Sequence, residues 1–316
     1  MDDLIVMATV VATKTVVARG VVAVELRRPD GSAFPRWEPG AHIDLGAGTE
    51  LERQYSLCGD LDDPYTWRIA VLREPASRGG SEWVHDGLHV GDAVAIRGPR
   101  HHFPLVEAER YLFVAGGIGI TPLLPMIAAV DARSADWRLL YGGRTLGSMA
   151  FGSELVRHGD RVTFWPADSH GLLDLAGALP EGGGDLAIYA CGPEPLLEAI
   201  ERHCATGNRG TLNVERFHPR PGALAGERRS FEIVVESSGA TVRVGPDEAV
   251  VDALERIGID VPTSCREGTC GTCETGVLFG DIDHRDSYLT ADEQDAGETM
   301  MVCCSRAHSD RLVLDL

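Results

Sequence analysis

The stretch Cys265-Arg266-Glu267-Gly268-Thr269-Cys270-Gly271-Thr272-Cys273 shapes the interpretation of this 316-residue chain. It spaces three cysteines as C-x4-C-x2-C, and 29 residues separate its end from a fourth, Cys303. This is the plant-type spacing of a [2Fe–2S] cluster held by four thiolates. Two irons must be ligated in pairs, so a short loop supplies three thiolates and a distant segment supplies the fourth. We expect Gly268 and Gly271 to let the loop fold tightly around the cluster.

A zinc site or a set of buried free thiols is the alternative interpretation of these cysteines. Zinc motifs normally consist of two C-x2-C pairs or of Cys/His mixtures, and the sequence contains neither pattern. The spacing therefore favours iron and sulfur.

Composition indicates a globular protein of two or three domains. Hydrophobic residues make up 44% and charged residues 24% of the chain, and no apolar run is long enough to span a bilayer. The start, Met1-Asp2-Asp3-Leu4-Ile5, lacks the basic region of a signal peptide, so we expect a cytoplasmic location. Eight cysteines in an unexported chain indicate metal or redox chemistry rather than disulfides.

The net charge of −19 argues against nucleic acid as a partner. From Phe231 to the C-terminus, 18 acidic residues and 6 arginines give −12. Two interpretations stay open for this segment: a solubilising surface, or an acidic face that steers a partner with a basic patch.

The first hundred residues have the pattern of β-structure. Short β-branched runs alternate with turn signals such as Pro29-Asp30-Gly31 and Gly98-Pro99. The predicted strands are 9–13, 21–26, 41–45, 54–57, 67–72 and 93–97. Several strands with regular turn signals predict a small antiparallel barrel.

From residue 111, strands and helices alternate, which is typical of a parallel sheet. The predicted strands are 111–115, 137–141, 162–165 and 186–190, and the predicted helices are 123–130, 151–157 and 194–203. Residues 218–229 are rich in Pro, Gly and Ala and predict an interdomain linker. A new strand begins at Phe231, and a short helix, 250–257, precedes the cysteine loop.

Gly116-Gly117-Ile118-Gly119 lies between a predicted strand and a predicted helix. Glycines there let backbone amides approach a pyrophosphate, and the helix N-terminus adds a favourable dipole. The stretch lacks the G-x-G-x-x-G pattern, so an ordinary tight turn remains the alternative.

Arg53-Gln54-Tyr55-Ser56 combines three useful side chains on one predicted strand. Arginine can pair with a phosphate, tyrosine can stack on a flat heterocycle, and serine can hydrogen-bond a ring nitrogen. Gly79-Gly80-Ser81 precedes a short helical stretch, a favourable place for a phosphate. Taken alone, the strand is better explained by core packing, and a cysteine in the position of Cys191, in Cys191-Gly192-Pro193, is usually a buried small hydrophobe.

These motifs, in this order, resemble the phthalate dioxygenase reductase family of the ferredoxin–NADP reductase superfamily. The resemblance covers the whole chain. Asp283-His284-Arg285-Asp286 and Ser305-Arg306-Ala307 are similar to vanillate O-demethylase reductase subunits. The resemblance implies a multidomain fold: an FMN-binding antiparallel β-barrel (1–104), an NAD(P)-binding α/β parallel-sheet domain (105–226) and a plant-type ferredoxin domain of the α+β, β-grasp type (227–316).

The resemblance also implies the residues that hold each cofactor. Arg53 and the Gly79–Ser81 turn would contact the FMN phosphate, and Tyr55 and Ser56 the isoalloxazine, with Ser56 near its reactive nitrogen. The implied FMN residues are Arg53, Gln54, Tyr55, Ser56, Gly79, Gly80 and Ser81. The implied nucleotide residues are Gly116, Gly117, Gly119, Thr121, Arg144, Asp168 and Cys191, with Phe217 shielding the flavin. The implied catalytic residues are Ser56 and Cys191.

The implied cluster ligands are Cys265, Cys270, Cys273 and Cys303. Cys304, adjacent to the fourth ligand, is then expected to be a buried neighbour. For Cys58 and Cys204 we expect a packing role.

The resemblance implies an NADH-dependent oxidoreductase that passes electrons through FMN and [2Fe–2S] to a partner oxygenase. A hydride carries two electrons and the cluster accepts one, so FMN is the intermediary. We expect a Rieske-type aromatic oxygenase or O-demethylase as the partner, a cytochrome P450 as the alternative, and a monomeric reductase. A non-catalytic redox sensor is the rival class. Hydrogen bonds from the cysteine loop are expected to raise the cluster potential above the about −400 mV of plant-type ferredoxins.

Overall fold

The structure of the chain is a computed structural model that describes residues 5–46, 48–49, 51–75, 77–179, 185–205 and 210–316. The chain divides into two compact units, Met1–Glu215 and Arg216–Leu316. The first unit contains an antiparallel sheet and a parallel sheet, and the second contains a smaller mixed sheet.

The antiparallel sheet is built from the predicted β-branched runs. Its strands are β1 (Val6–Ala18), β2 (Val21–Arg27), β3 (Ala41–Leu45), β4 (Arg53–Ser56), β5 (Trp67–Leu72) and β6 (Ala93–His101). They are ordered β4-β3-β6-β1-β2-β5, and a bridge from Leu57, just after β4, to Ile69 in β5 curls the sheet on itself. Strand β1 is longer than predicted because its first half pairs with β6 and its second half with β2. A short helix, α1 (Gly80–Glu82), continues as a π-helical turn, Trp83–Gly87.

The parallel sheet follows the predicted alternation. Its strands are β7 (Arg110–Gly116), β8 (Asp136–Gly143), β9 (Val162–Pro166), β10 (Leu186–Cys191) and β11 (Thr211–Glu215). The helices are α2 (Ile120–Ala132), α3 (Gly152–Leu155), α4 (Ala167–His170), α5 (Leu175–Ala178) and α6 (Glu194–Ala205). Short 3₁₀ turns occur at Gly117–Gly119, Leu146–Ser148 and Val156–Arg161.

The strand order β11-β10-β7-β8-β9 creates a switch point between β7 and β10. The chain moves from β7 to one side through β8 and β9, then returns to the other side as β10 and β11. Ligands of open α/β sheets bind outside the carboxyl ends of the strands at such a point. The fold thereby places the Gly116–Thr121 and Cys191–Pro193 turns side by side.

One hydrophobic core joins the barrel to the parallel sheet within the first unit. It packs barrel residues such as Val21 and Ala70 with Phe113 and Tyr141 of the parallel sheet. Arg68 of β5 adds hydrogen bonds of 3.0 and 3.1 Å to the Glu154 carboxylate of α3. The antiparallel and parallel sheets of the first unit are therefore packed together and are not joined by the chain alone.

The second unit is a mixed sheet with a helix packed on it. Its strands are β12 (Phe231–Val235), β13 (Thr241–Val244), β14 (Glu274–Phe279), β15 (Ile282–Asp283), β16 (Thr299–Met301), β17 (Arg306–Ala307) and β18 (Arg311–Asp315). The main sheet is ordered β13-β12-β18-β14-β16, with β12 and β18 parallel. Helices α7 (Val250–Arg256) and α8 (Ala291–Ala296) complete the unit, and buried residues of α7 enter its core.

The predicted linker is tied to the second unit by hydrogen bonds. The Arg220 amide donates to Ser287 Oγ at 2.8 Å, and the Arg285 guanidinium donates to the Glu227 carbonyl at 2.7 Å. The Arg229 side chain donates to the Ala307 carbonyl at 3.3 Å. The domain limits 1–104, 105–226 and 227–316 stay a prediction.

No helix among the described residues has the length and apolar character needed to cross a membrane.

Candidate functional site

The second unit brings together the four thiols predicted from the cysteine spacing. The Cys265 thiol lies within hydrogen-bonding reach of those of Cys270 and Cys303, and the Cys273 thiol within reach of that of Cys303. Among the described residues, no three or more His, Cys, Asp or Glu side chains are placed to hold a single metal ion. Three thiols from one loop and a fourth from a distant segment are the donor set of a plant-type [2Fe–2S] cluster, so these residues fit that group.

Backbone geometry explains the two loop glycines. Gly268 and Gly271 adopt φ values of 70° and 73°, a region that costs other residues strain. A Cβ on Gly271 would also meet the Tyr288 ring at 2.5 to 2.9 Å. Tyr288 therefore covers one side of the cysteine loop, and the prediction that glycines permit its tight fold agrees with the geometry.

Hydrogen bonds shape the protonation of the thiols. The Cys270 and Cys303 side chains, with the Glu267 and Thr269 amides at 3.4 Å, hold the pKa of the Cys265 thiol far below its usual value. Contact with Cys265, followed by contact with Cys273, raises the pKa of Cys303. Metal binding deprotonates such thiols, so cluster loading should release protons.

Cys304 occupies a different position from Cys303. Its Sγ lies 3.8 Å from the Met301 carbonyl oxygen and 4.0 Å from Ser305 Oγ. The Cys304 thiol is in contact with the Cys303 thiol, and this contact helps to raise the pKa of Cys303. Cys304 is half-buried, whereas the sequence led us to expect a buried neighbour. Cys58 is buried in the first-unit core, as expected for a packing residue, and the half-buried Cys204 of α6 packs against an apolar cluster that includes Leu197 and Ile200.

The first unit brings Arg53 and the Gly79-Gly80-Ser81 turn together. A Cβ on Gly80 would collide with Arg53 Cγ and lie 3.1 Å from Arg53 Nε. The guanidinium donates to the Arg78 carbonyl at 2.8 Å. An arginine beside the amides that enter a helix is a suitable cradle for a phosphate, so these residues fit the FMN phosphate.

The remaining residues of β4 alternate between two faces. Tyr55 packs on the barrel core, and burial, opposed by the charge of Arg53, raises the pKa of Tyr55 to about 12. Gln54 lies on the other face, where its Nε2 is 3.4 Å from His42 Nε2. Ser56 is buried and pairs with His42 across the strands. Strand β4 is also the first strand in the order of this sheet.

The two turns at the switch point are in close backbone contact. A Cβ on Gly119 would collide with the Cys191 carbonyl and lie 2.7 Å from the Gly192 nitrogen. A Cβ on Gly116 would lie 2.5 Å from Pro193 Cδ. Because only glycine permits this approach, the Cys191–Pro193 turn requires glycine at positions 116 and 119 of the predicted nucleotide turn.

Other predicted nucleotide residues surround the same edge of the sheet. Arg144 follows β8 and accepts a hydrogen bond through its carbonyl from the Asp168 amide at 3.0 Å. Thr121 donates to the Ile118 carbonyl at 3.0 Å, so its hydroxyl stabilises the turn. The Gly117 carbonyl accepts from the Tyr141 hydroxyl at 3.0 Å.

Glu215 is a site residue that the sequence reasoning missed. It ends β11 directly beside Cys191, and its Oε2 is buried with no hydrogen-bond partner among the described residues. Burial raises the pKa of Glu215 to about 8, and burial together with the Glu215 charge raises the pKa of the Cys191 thiol. The available signal was an acidic residue ending the strand next to the switch point.

Phe217 belongs to the second unit and is 38% exposed. Its role as a shield for the flavin stays a prediction.

Comparisons with known proteins agree with this architecture. Residues 233–308 match the family model of the 2Fe-2S iron-sulfur cluster binding domain. Phenoxybenzoate dioxygenase subunit beta of Ectopseudomonas oleovorans is 40% identical over 304 residues, covering 95% of this chain and 94% of that protein. The solved phthalate dioxygenase reductase, described as a modular structure for electron transfer from pyridine nucleotides to [2Fe–2S], is 33% identical, with a TM-score of 0.70 and 98% of both chains covered.

A solved intact type IV self-sufficient cytochrome P450 monooxygenase is also similar. It is 43% identical with a TM-score of 0.87, and the match covers 99% of this chain and 41% of that one. The chain therefore spans about two fifths of the length of that protein.

The fold and the thiol set define a class: modular oxidoreductases that combine a flavin barrel, an NAD-binding parallel sheet and a [2Fe–2S] domain. Within that class, the chain belongs to the phthalate dioxygenase reductase family. The predicted family, the fold class and the cofactors FMN, NADH and [2Fe–2S] are confirmed. So is the prediction of an oxidoreductase component that serves an oxygenase.

Proposed function

We propose that the protein takes electrons from NADH and delivers them, through FMN and a [2Fe–2S] cluster, to a separate Rieske-type aromatic oxygenase or O-demethylase. The observation that carries the proposal is the grouping of the Cys265, Cys270, Cys273 and Cys303 thiols in a chain whose first unit has a glycine turn at a sheet switch point. Bound FMN would supply the conversion of a two-electron hydride into single electrons.

Residues of the barrel bind and orient the flavin in this proposal. Arg53 and the Gly79–Ser81 turn hold the phosphate in this proposal, and the close approach of the Arg53 side chain to Gly80 supports the assignment. Tyr55 offers a neutral aromatic ring, and Ser56 is assigned to the reactive nitrogen of the ring system. Gln54, whose Nε2 lies 3.4 Å from His42 Nε2, is assigned to the flavin ring system together with Ser56.

Residues at the switch point bind the nicotinamide nucleotide. Gly116, Gly117 and Gly119 present the pyrophosphate turn, which Thr121 stabilises. Cys191 and Glu215 lie at the carboxyl ends of their strands, where a protonated Glu215 can donate a hydrogen bond.

The Arg144–Asp168 pair faces the ribose in this proposal. A carboxylate accepts hydrogen bonds from a free ribose hydroxyl and repels a phosphate there, so Asp168 favours NADH over NADPH. Asp168→Ala should narrow the ratio of kcat/KM for NADH to that for NADPH, while Asp160→Ala, an exposed acid of the same domain, should leave it unchanged. An unchanged ratio in the Asp168 variant would remove this residue from the assignment.

Partner docking is assigned to the acidic second unit. The Tyr288 ring covers Gly271 of the cysteine loop. Burial, and then the negative charges of Glu274 and Glu293, raise the pKa of Tyr288 to about 12, so both carboxylates lie near this ring. Both glutamates are exposed. A basic patch on the oxygenase would meet this face beside the cluster. We also propose that the reductase is a monomer in the cytoplasm.

A cytochrome P450 is the second candidate partner. The specific observation is the 43% identity to part of a self-sufficient cytochrome P450 monooxygenase. If the reductase reduces a Rieske oxygenase but not a cytochrome P450 from its own organism, the Rieske oxygenase is the partner.

The test of the proposed function is NADH-dependent electron flow in protein loaded with both cofactors. NADH should bleach the flavin and cluster absorbance rapidly, and cytochrome c should serve as an artificial acceptor. Cys270→Ala should abolish delivery to the acceptor oxygenase while NADH still reduces FMN; Cys204→Ala is the matched control. Fully loaded protein without NADH-dependent turnover would disprove the proposal and favour a redox sensor.

A further inference from the structure

Asp286 lies between the two segments that supply the cluster thiols. A Cβ on Gly268 would lie 2.8 Å from Asp286 Cα, and the adjacent Ser287 amide donates to the Gly268 carbonyl at 2.9 Å. On its other side, Asp286 Oδ1 accepts from Ser305 Oγ at 3.4 Å. Ser305 follows Cys303 by two positions, so Asp286 contacts both the three-cysteine loop and the segment of the fourth cysteine.

The Asp286 side chain is 0% exposed, yet its carboxylate is well supplied with donors. Oδ2 accepts from the Leu289 amide at 2.8 Å and from the Tyr288 amide at 3.2 Å. His284 Nδ1 lies 3.5 Å from Oδ1. Burial opposes ionisation, but the His284 side chain and the Leu289 amide keep the pKa of Asp286 below its usual value.

A buried anion at this place has a predictable effect on a neighbouring redox centre. Reduction adds one negative charge to a [2Fe–2S] cluster, and charges interact more strongly in the protein interior than in water. A carboxylate fixed beside the cysteine loop disfavours that added charge. It opposes the Glu267 and Thr269 amides, which donate to the Cys265 sulfur and favour reduction.

We propose that Asp286 is a positioning residue that joins the two cluster-binding segments and holds the midpoint potential of the cluster low. A low potential favours onward delivery of the electron to the oxygenase. The inference rests on the proposed function only in requiring that the four thiols hold a [2Fe–2S] cluster. It requires neither NADH oxidation nor a particular partner.

The test is a redox titration of the whole holoprotein with a chemical reductant, followed by visible absorbance and electron paramagnetic resonance. Asp286→Asn keeps the shape of the side chain and removes its charge, and it should shift the midpoint potential to a less negative value. Asp292→Asn removes an exposed carboxylate of α8 and should leave the potential unchanged. Equal potentials in wild type and Asp286→Asn would overturn the proposal.

A second variant, Ser305→Ala, tests the proposal even if the Asp286→Asn protein does not retain its cluster. Ser305→Ala keeps the carboxylate but removes one donor that compensates it, so the potential should become more negative with the cluster still bound. An unchanged or less negative potential in Ser305→Ala would overturn the proposal. Wild-type protein without cluster spectra would defeat the cluster assignment instead, and failure of NADH turnover with normal spectra would defeat only the reductase assignment.

Discussion

Glu215 should make the stability of the first unit fall as pH rises. Burial displaces its pKa from 4.5 to about 8. At about 1.4 kcal/mol for each tenfold change, the folded protein holds this proton about 5 kcal/mol more tightly than the unfolded chain. Because the folded state binds more protons, the free energy of unfolding declines between pH 4.5 and pH 8 and then levels off.

Glu215→Gln should remove this decline, because a neutral amide of the same shape has no proton to lose. The difference in unfolding free energy, wild type minus variant, should fall by up to about 5 kcal/mol across the interval. All five tryptophans, Trp37, Trp67, Trp83, Trp137 and Trp165, lie in the first unit. Urea unfolding followed by tryptophan fluorescence therefore reports this unit specifically.

Glu107→Gln is the matched control, because Glu107 is an exposed acid of the same unit. It should leave the pH dependence of wild type intact. If Glu215→Gln and wild type lose stability in parallel from pH 4.5 to 8, then the Glu215 carboxyl is not an uncompensated buried acid, and the reasoning fails.

Three further predictions concern the other sites. Gly119→Ala should lower kcat/KM for NADH by about 10- to 100-fold in steady-state assays, because the new Cβ displaces the Cys191 turn. Gly147→Ala is the control and should have little effect, because there is open space where its Cβ would lie. Equal kcat/KM values for the two variants would contradict the close-contact argument. The double change Glu274→Gln and Glu293→Gln should slow stopped-flow reduction of the oxygenase and weaken its dependence on ionic strength, and an unaltered salt dependence would place docking elsewhere. Cys304→Ala should retain the cluster absorbance, and loss of the cluster would make Cys304 rather than Cys303 the fourth ligand.

Features encoded by local spacing could be predicted from the sequence. The C-x4-C-x2-C loop specifies its own ligand geometry, and glycine at positions 268 and 271 follows from the turn it must make. The six barrel strands and the alternation after residue 111 also follow from short-range patterns of β-branched residues and turn signals. The ends of β1 did not, because they depend on pairing with two other strands.

Features that depend on burial could not be predicted in this way. Glu215 ends a strand whose sequence, Thr211-Leu212-Asn213-Val214-Glu215, does not reveal that its Oε2 is buried or that burial raises the pKa of this carboxyl. The contacts of Asp286 with Gly268 and Ser305 likewise join segments that are far apart in the chain. For Gln54, the pattern specified a strand, but the contact with His42 required knowledge of the neighbouring strand.

The hydrogen bonds that tie the linker to the second unit bear on how this molecule can be recombined with others. The segment rich in Pro and Gly resembles a flexible linker in sequence, yet a breakpoint at residue 226 would separate the Arg220 amide from its Ser287 acceptor. A ferredoxin domain that is to be fused to another protein should therefore include the linker, beginning before Arg220. A chimaera that begins its ferredoxin part before Arg220 should deliver electrons better than one cut at residue 226, because it keeps the hydrogen bond from the Arg220 amide to Ser287.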